Sequence, residues 1–558
     1  MRACGCAPVR RPHRLEATAG LALMLSIIAS SVTHAEQAAP GNGAPAPAQT
    51  PAPQAAAAPA APVKFDVLEL RVLGNSVLDA RTIESVVYPY TGPARQMADV
   101  ESARAALERA YHDHGFGTVF VDIPEQSVDE GIVRLRVTEG RLRQVRVTGA
   151  RYFSGRQIRA AIPAAQEGAV PNLPQLQSEL TQLNTETRDR VVAPVLKAGP
   201  EPATVDLALK VDDHVPFHGS VELDNQYTID TTHLRAAVAA SYDNMFGRLD
   251  SLAFQYQAAP EAVRESHVVA GSYTLRLSED GSNLAFQYID SKSDVATIGT
   301  LGILGTGSVY GIRYLKPLSV IGTVQDLAFE LDYKDFKQSI LVSPTAATGG
   351  LNTPVDYISS SVSYSGGQNT AHHQIDWTTS ANFGFRGAPY NDQQFADKRF
   401  DAQPNFFYLR SDGGITVALP LSLSAGLRLT GQYSVDPLIS NEQLAVGGAG
   451  SVRGYLEAEE LADSAFRTSF QLGLPPVNFA SSRVHLHEFL FYDAAHAFTV
   501  DPLPSQLHHV DLRSWGVGIN ILGLDHMTGT LTWADPLTNG AVTVKGASWF
   551  LFDLRGYW

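Results

Sequence analysis

The sequence predicts α+β modules, two in succession, followed by an all-β transmembrane barrel of 16 antiparallel strands. Three observations carry this. A unit of about 75 residues occurs twice in the N-terminal part, each time with strand and helix periodicities in the same order. From about Pro216 onward, helical periodicity gives way to alternation with period two. Hydrophobic residues make up 44% of the 558-residue chain and charged residues 18%, yet no internal run of about 18 apolar residues marks a membrane helix. A barrel reconciles these facts, because its strands alternate lipid-facing and lumen-facing residues and none is strongly hydrophobic as a whole.

Residues 1–35 read as a signal peptide. Arg2, Arg10, Arg11 and Arg14 precede a short apolar stretch from Gly20 to Ala29, and Thr33-His34-Ala35 offers a cleavage site. Cys4 and Cys6, the two cysteines of the chain, leave with that segment. The mature chain then holds no cysteine, which excludes structural disulfides and cysteine-based metal or nucleophile chemistry. Residues 36–63 are mostly Ala, Pro, Gln and Gly, the composition of a disordered, partly polyproline linker. The formal net charge of −15 argues against a nucleic-acid partner.

The repeat defines modules at 64–140 and 141–213. Val72-Leu-Gly74-Asn-Ser-Val-Leu78 is echoed by Val147-Thr-Gly149-Ala-Arg-Tyr-Phe153, and Arg81 and Ile83 by Arg156 and Ile158. In the first copy Asp99 is the expected helix N-cap, ahead of Val100, Ala103, Leu107, Ala110 and Tyr111 at helical spacing. Leu173, Leu176, Leu180 and Leu183 play the same part in the second. Each copy closes on an alternating strand, so each reads β-α-α-β-β. Such modules serve either to handle peptides or as plain spacers.

The barrel is expected over 214–558, with strands centred near residues 222, 237, 254, 271, 287, 311, 329, 361, 379, 411, 427, 470, 489, 517, 530 and 553. The clearest alternation runs from Leu421 to Tyr433, with Leu421, Leu423, Ala425, Leu427 and Leu429 on one face. The opposite faces of the sampled strands are small and uncharged, as a crowded, water-filled lumen suggests. Aromatic residues fall near strand ends, where an interfacial girdle belongs. In the last strand Phe550, Phe552, Leu554 and Trp558 share a face, the pattern of a C-terminal outer-membrane targeting strand.

Between the eleventh and twelfth strands a long segment, 435–463, carries Glu442-Gln-Leu-Ala-Val-Gly447-Gly448-Ala-Gly-Ser451-Val452-Arg453-Gly454-Tyr455. The glycines permit tight turns and close approach to a wall. Arg453 is a cation on a folded loop and wants a carboxylate in a narrow lumen. Phe491-Tyr492-Asp493 has Phe491 and Asp493 on a common face, but on the residues alone the plainer reading is that Arg453 is a solvated loop arginine. This segment resembles the sixth-loop motif of two-partner secretion outer-membrane transporters, the TpsB or ShlB/FhaC/HecB haemolysin secretion/activation type. The N-terminal repeat is similar to that family's two POTRA domains, and Phe491-Tyr492-Asp493 to its Phe-x-Asp motif.

The resemblance implies an outer-membrane pore whose POTRA domains, in the periplasm, recognise a large unfolded partner protein and which exports it. The cargo is then an adhesin, haemolysin or toxin. It also implies Arg453 latched to Asp493, with Gly447, Gly448, Val452, Gly454, Tyr455 and Phe491 around them. Other expected partners are outer-membrane lipid and, during biogenesis, the barrel-assembly machinery; the transporter is expected to be a monomer without cofactor, metal or catalytic residues. Two departures stand out. Residues 36–62 are too proline-rich for the pore-plugging helix that such transporters often carry, and Glu488 falls on the lipid side with Leu490 and Tyr492. Rival readings are an outer-membrane assembly insertase of the same superfamily, which usually carries more POTRA domains, and a passive porin, which needs neither modules nor loop motif. An enzyme would have to use His485, His487 or the doublets His372-His373 and His508-His509, none of which has a helix-spaced carboxylate.

Overall fold

A computed structural model describes residues 63–558, apart from 129, 230, 265, 279, 293–294, 299–300, 321, 338, 341–350, 387–391, 479–483, 505 and 524–525. The signal segment, and the linker up to Pro62, lie outside the described residues. The chain divides into two units, one ending at Val215 and one running from Pro216 to Trp558.

The first unit contains two three-stranded sheets, each with a pair of helices. In the first sheet Glu69–Leu73 runs parallel to Ile132–Glu139, which is antiparallel to Val119–Asp122. In the second, Arg141–Thr148 runs parallel to Thr204–Asp213, which is antiparallel to Arg190–Ala198. The helix Met97–Asp113 buries Val100, Ala103, Leu107, Ala110 and Tyr111, and the helix Leu173–Thr185 buries Leu176, Leu180 and Leu183. These faces pack on the sheets because helical spacing turns them to one side. Asp99 is not the N-cap. The helix starts two residues earlier, and the Asp99 carboxylate reaches back to accept from the amide of Gln96 at 2.8 Å.

The repeated sequence makes a repeated turn. Gly74 and Gly149 both have positive φ, 90° and 91°, and a Cβ at either would collide with a carbonyl oxygen of the last strand of its own module, that of Val137 or Val211. The acid that ends that strand secures the turn. Glu139 accepts from the amide and the hydroxyl of Ser76, both at 2.5 Å. Asp213 accepts from the amides of Arg151, Tyr152 and Phe153 at 2.8, 2.8 and 3.2 Å. Burial pushes the Asp213 carboxyl up, but these three amides outweigh it and hold the group below the usual carboxylate range.

The second unit is a closed antiparallel barrel. Its strands are β1 Phe217–Asp224, β2 Arg235–Met245, β3 Asp250–Ala258, β4 His267–Arg276, β5 Asn283–Lys292, β6 Gly307–Val320, β7 Thr323–Phe336, β8 Val355–Asn369, β9 His373–Gly384, β10 Phe407–Ala418, β11 Ser424–Ser434, β12 Ser464–Gly473, β13 His485–Phe498, β14 His509–Gly523, β15 Met527–Pro536 and β16 Trp549–Tyr557. Every centre expected from the sequence falls inside its strand. Closure pairs β16 with β1, from Asp553 opposite Asp224 to Tyr557 opposite Ser220, and Trp558 and Gly219 exchange backbone hydrogen bonds beyond them.

Alternation places an apolar band outside. Val221, Leu252, Phe254, Ile312, Phe329, Leu331, Leu429, Phe470, Val517 and Leu554 are all exposed there. Outward aromatics gather at the rims: Tyr288, Tyr310 and Tyr333 are cross-strand neighbours near one, with ring centroids 5.0 and 6.3 Å apart, and Tyr364 and Trp377 meet near the other at 6.4 Å.

Two expectations are corrected and one departure is located. The lumen face is not uniformly small and uncharged: Arg428 pairs with Asp412 and Asp376, Arg410 donates to Gln432 at 2.8 Å, and Gln287 donates to Glu330 at 2.7 Å. Arg428 lies on β11 itself, the strand with the clearest alternation, among Ser424, Thr430 and Gln432, and its two acids come from β10 and β9. Leu421 and Ser422 belong to a turn, with φ of 63° and 58°, so β11 begins only at Ser424. Glu488 does keep lipid-side parity, because β13 pairs with β14 without a break. The irregularity lies across from it, where Leu474–Pro476 add one residue before Val477 pairs with Leu486. Glu488 is the fourth residue of β13, close to the interface on the β1-entry side.

Candidate functional site

The loop between β11 and β12, residues 435–463, has a core of its own. Leu444, Val446, Val452, Tyr455 and Ala462 are buried against Ala465, Ala495, Ala497 and Leu512 of the wall. A short hairpin, Leu444–Val446 with Glu460–Ala462, forms its neck. Gly447, Gly448 and Gly454 all take positive φ, and Gly454 lies against Ala534 of β15.

Arg453 meets Asp493 of β13. Its Nε donates to Oδ2 at 2.7 Å and its Nη2 to Oδ1 at 2.8 Å, a fork-to-fork pair, while its backbone amide donates to Oδ2 at 3.1 Å. Asp493 is wholly buried. Ser469 of β12 donates to the same carboxylate at 2.6 Å and accepts from Arg453 at 3.0 Å. The guanidinium stacks 3.5 Å from the centre of the Phe491 ring, with Phe489 5.8 Å away. Room for the two rings comes from β14. A methyl at Gly516 would lie 2.6 Å from Phe491, and one at Gly518 would strike Phe489. The Tyr455 hydroxyl sits 2.9 Å from the carbonyl oxygen of Arg513 and 2.8 Å from that of Thr538.

Three further anchors were not assigned from the sequence. Glu442, at the head of the motif, accepts from Lys334 of β7 at 2.8 Å, Tyr357 of β8 at 2.5 Å and Tyr408 of β10 at 2.8 Å. Burial pushes its carboxyl up, but the Lys334 ammonium and the two hydroxyls overcome that and hold it low. Asp463, fully buried at the end of the loop, is forked by Arg399 of the fifth loop (385–406), Nη1 to Oδ1 at 2.5 Å and Nη2 to Oδ2 at 2.6 Å. It also accepts from the amides of Leu438 at 2.9 Å and Val500 at 2.8 Å. Glu459 accepts from the amides of Val542 and Thr543, in the loop before β16, at 2.9 and 2.7 Å. The one available signal was the number of acids, Asp436, Glu442, Glu457, Glu459, Glu460 and Asp463, in a segment that must be buried in a lumen.

Elsewhere, Phe550 and Leu554 are exposed on the outer face of β16, and Trp558 covers Gly219. His485 and His487 are the first and third residues of β13.

Residues 65–140 match a POTRA domain of the ShlB type, and residues 354–521, which contain the whole loop and its Asp493 anchor, match the haemolysin secretion/activation proteins ShlB/FhaC/HecB. The chain is an outer-membrane transporter of the two-partner secretion type. It is 22% identical over 417 residues to the outer membrane transporter CdiB of Dickeya dadantii, covering 70% of this chain and 69% of that one. To the heme/hemopexin transporter protein HuxB of Haemophilus influenzae it is 20% identical over 450 residues, with 77% and 76% covered. The solved structure of CdiB from Escherichia coli superposes with a TM-score of 0.56 at 18% identity, over 91% of this chain and 93% of that one, which shows a common fold. Two-partner secretion transporters export a partner protein from the periplasm, and this chain does so through the barrel described above.

Proposed function

We propose that the sixth loop, docked by Arg453 on Asp493, is the closed state of the export path, and that export requires this latch to open. The observation that carries the reading is the buried fork itself. It is a strong pair, but it is one pair on a loop otherwise held by small contacts and further ion pairs, so it can break and re-form as a unit. The modules at 64–140 and 141–213 receive an extended segment of the partner as an added strand beside a helix, and the barrel, taken from residue 214, passes it on. The cargo is a large unfolded polypeptide of adhesin, haemolysin or toxin type, delivered non-covalently and pulled forward by folding outside. The transporter works as a monomer, without cofactor or catalytic residue, and Phe550, Phe552, Leu554 and Trp558 address it to the barrel-assembly machinery.

The test joins loop to wall. A Cβ at Gly454 lies 3.2 Å from that of Ala534, close to disulfide spacing. Cells carrying Gly454→Cys with Ala534→Cys should release the partner under reducing conditions as well as Gly454→Cys alone does, the control for a side chain at this positive φ, and retain it when oxidised. Equal release in both would refute the latch, because each variant serves as its own control.

A further inference from the structure

Buried cations of the loop region are paired, with one exception among the described residues. Lys398 ends the short helix Asp392–Lys398 of the fifth loop, which is pinned by the fully buried Phe395 against Tyr357. The residue is 8% exposed, and its ammonium has no hydrogen-bond partner. Its neighbour Arg399 is spent on Asp463. An ammonium taken out of water without an anion is costly, so such a site is incomplete as it stands.

Lys398 lines a cavity of about 550 Å³ bounded by the fifth to eighth loops. Glu460 lines it too, and burial together with Glu459 pushes that carboxyl up. The remaining walls mix amides, Gln443 and Gln506, with apolar Leu461 and Leu507. One unpaired cation in a cavity that also holds an acid balances a single negative charge, whereas a dianion such as phosphate would leave an excess of negative charge there. Amides beside apolar walls suit a peptide, whose backbone needs partners and whose side chains need cover.

We propose that this cavity is a binding site for an acidic side chain of the exported polypeptide, whose carboxylate pairs with Lys398 as the chain reaches the cell surface. This rests on the export reading given above. The site lies outside the Arg453 latch and would hold the chain after passage rather than open the path.

The experiment uses the full-length transporter in detergent and a fluorescent acetyl-Leu-Glu-Leu-Ser amide, with its Gln counterpart and inorganic phosphate as comparators. The Glu peptide should bind by anisotropy about tenfold more tightly than the Gln peptide, and should protect Lys398 from acylation by acetic anhydride, read by mass spectrometry. Lys398→Met should lose that preference and Lys398→Arg should keep it, both with the heat-modifiable gel mobility of a folded barrel. Equal binding of the two peptides, or an unchanged preference in Lys398→Met, would overturn the proposal. So would protection by phosphate equal to that by the peptide, which would make the cavity an anion or lipid-headgroup site. Release of the partner by wild-type cells, measured alongside, separates the two levels. Release without peptide binding removes only this site, whereas failure of release removes the export reading itself.

Discussion

Replacing Asp493 by alanine should undock the sixth loop while leaving the barrel closed. The carboxylate accepts four hydrogen bonds, three from Arg453 at 2.7, 2.8 and 3.1 Å and one from Ser469 at 2.6 Å. Removing one partner of a buried, hydrogen-bonded pair costs about 3–5 kcal/mol, because the other charge is left stranded. Arg453 keeps part of its surroundings, the Phe491 face at 3.5 Å and the Ser469 hydroxyl at 3.0 Å, so the lower end applies. About 3 kcal/mol is a shift of roughly 150-fold in the docking equilibrium. The strands do not depend on this pair: β13 stays hydrogen-bonded to β12 and β14 along its length. Hydrogen exchange by mass spectrometry should therefore show the 447–456 amides exchanging about a hundredfold faster, with β12–β14 unchanged. Arg453→Met combined with Asp493→Leu should recover part of the protection, since neither charge is then stranded. Exchange within about threefold of wild type in Asp493→Ala would refute the reasoning, because it would mean the pair contributes almost nothing to docking.

Further outcomes follow from other parts of the chain. Gly516→Ala places a methyl 2.6 Å from the Phe491 ring and against the Trp533 carbonyl; it should lower the yield of folded barrel, read by heat-modifiable mobility, with a cost of about 1–3 kcal/mol. Asp213 has its folded pKa depressed, so its contribution is complete above the ordinary carboxylate value near 4 and is lost as pH falls through the lower folded value. Asp213→Asn should flatten that acid dependence of the second module, followed by limited proteolysis of the full chain. Burial lowers the Lys398 ammonium from 10.5 to about 8, so the wild-type loop cluster should gain stability as pH rises from about 8 towards 10. Lys398→Met should be more stable at neutral pH, by an order of magnitude of 1–3 kcal/mol, and should lack that rise, read by exchange corrected for intrinsic rates.

The fold was legible because it rests on periods. Sixteen centres placed by alternation all lie within strands, and the repeated Gly74 and Gly149 turns follow from residues that recur at one spacing. What failed was local. Leu421 continued the alternation on paper, yet it sits in a turn because Pro420 and the reversal before Ser424 decide the backbone there. The Arg453–Asp493 contact was readable only through the resemblance of the loop and Phe-x-Asp motifs to a known family, since on residues alone a loop arginine is as well placed in solvent. Asp463–Arg399 and Glu442–Lys334 were not readable. Their partners come from distant strands and loops, and spacing along the chain says nothing about which charges a closed cylinder brings together. The charged lumen was missed for the same reason: each charge looks exposed on its own strand and is neutralised only by a neighbour.

Glu442, Asp463, Glu459 and Arg453 give the cylinder an interior made from its own chain, reaching strands from β7 to β13 and the loops around them. A protein with such an interior carries its conduit and its filling in a single sequence, and the two have opposed requirements. Whatever tightens the filling protects the cell against leakage and slows traffic, and whatever loosens it does the reverse. Selection on this chain therefore acts on a compromise between sealing and throughput, and variants made sturdier by improving these contacts should pay in transport rate.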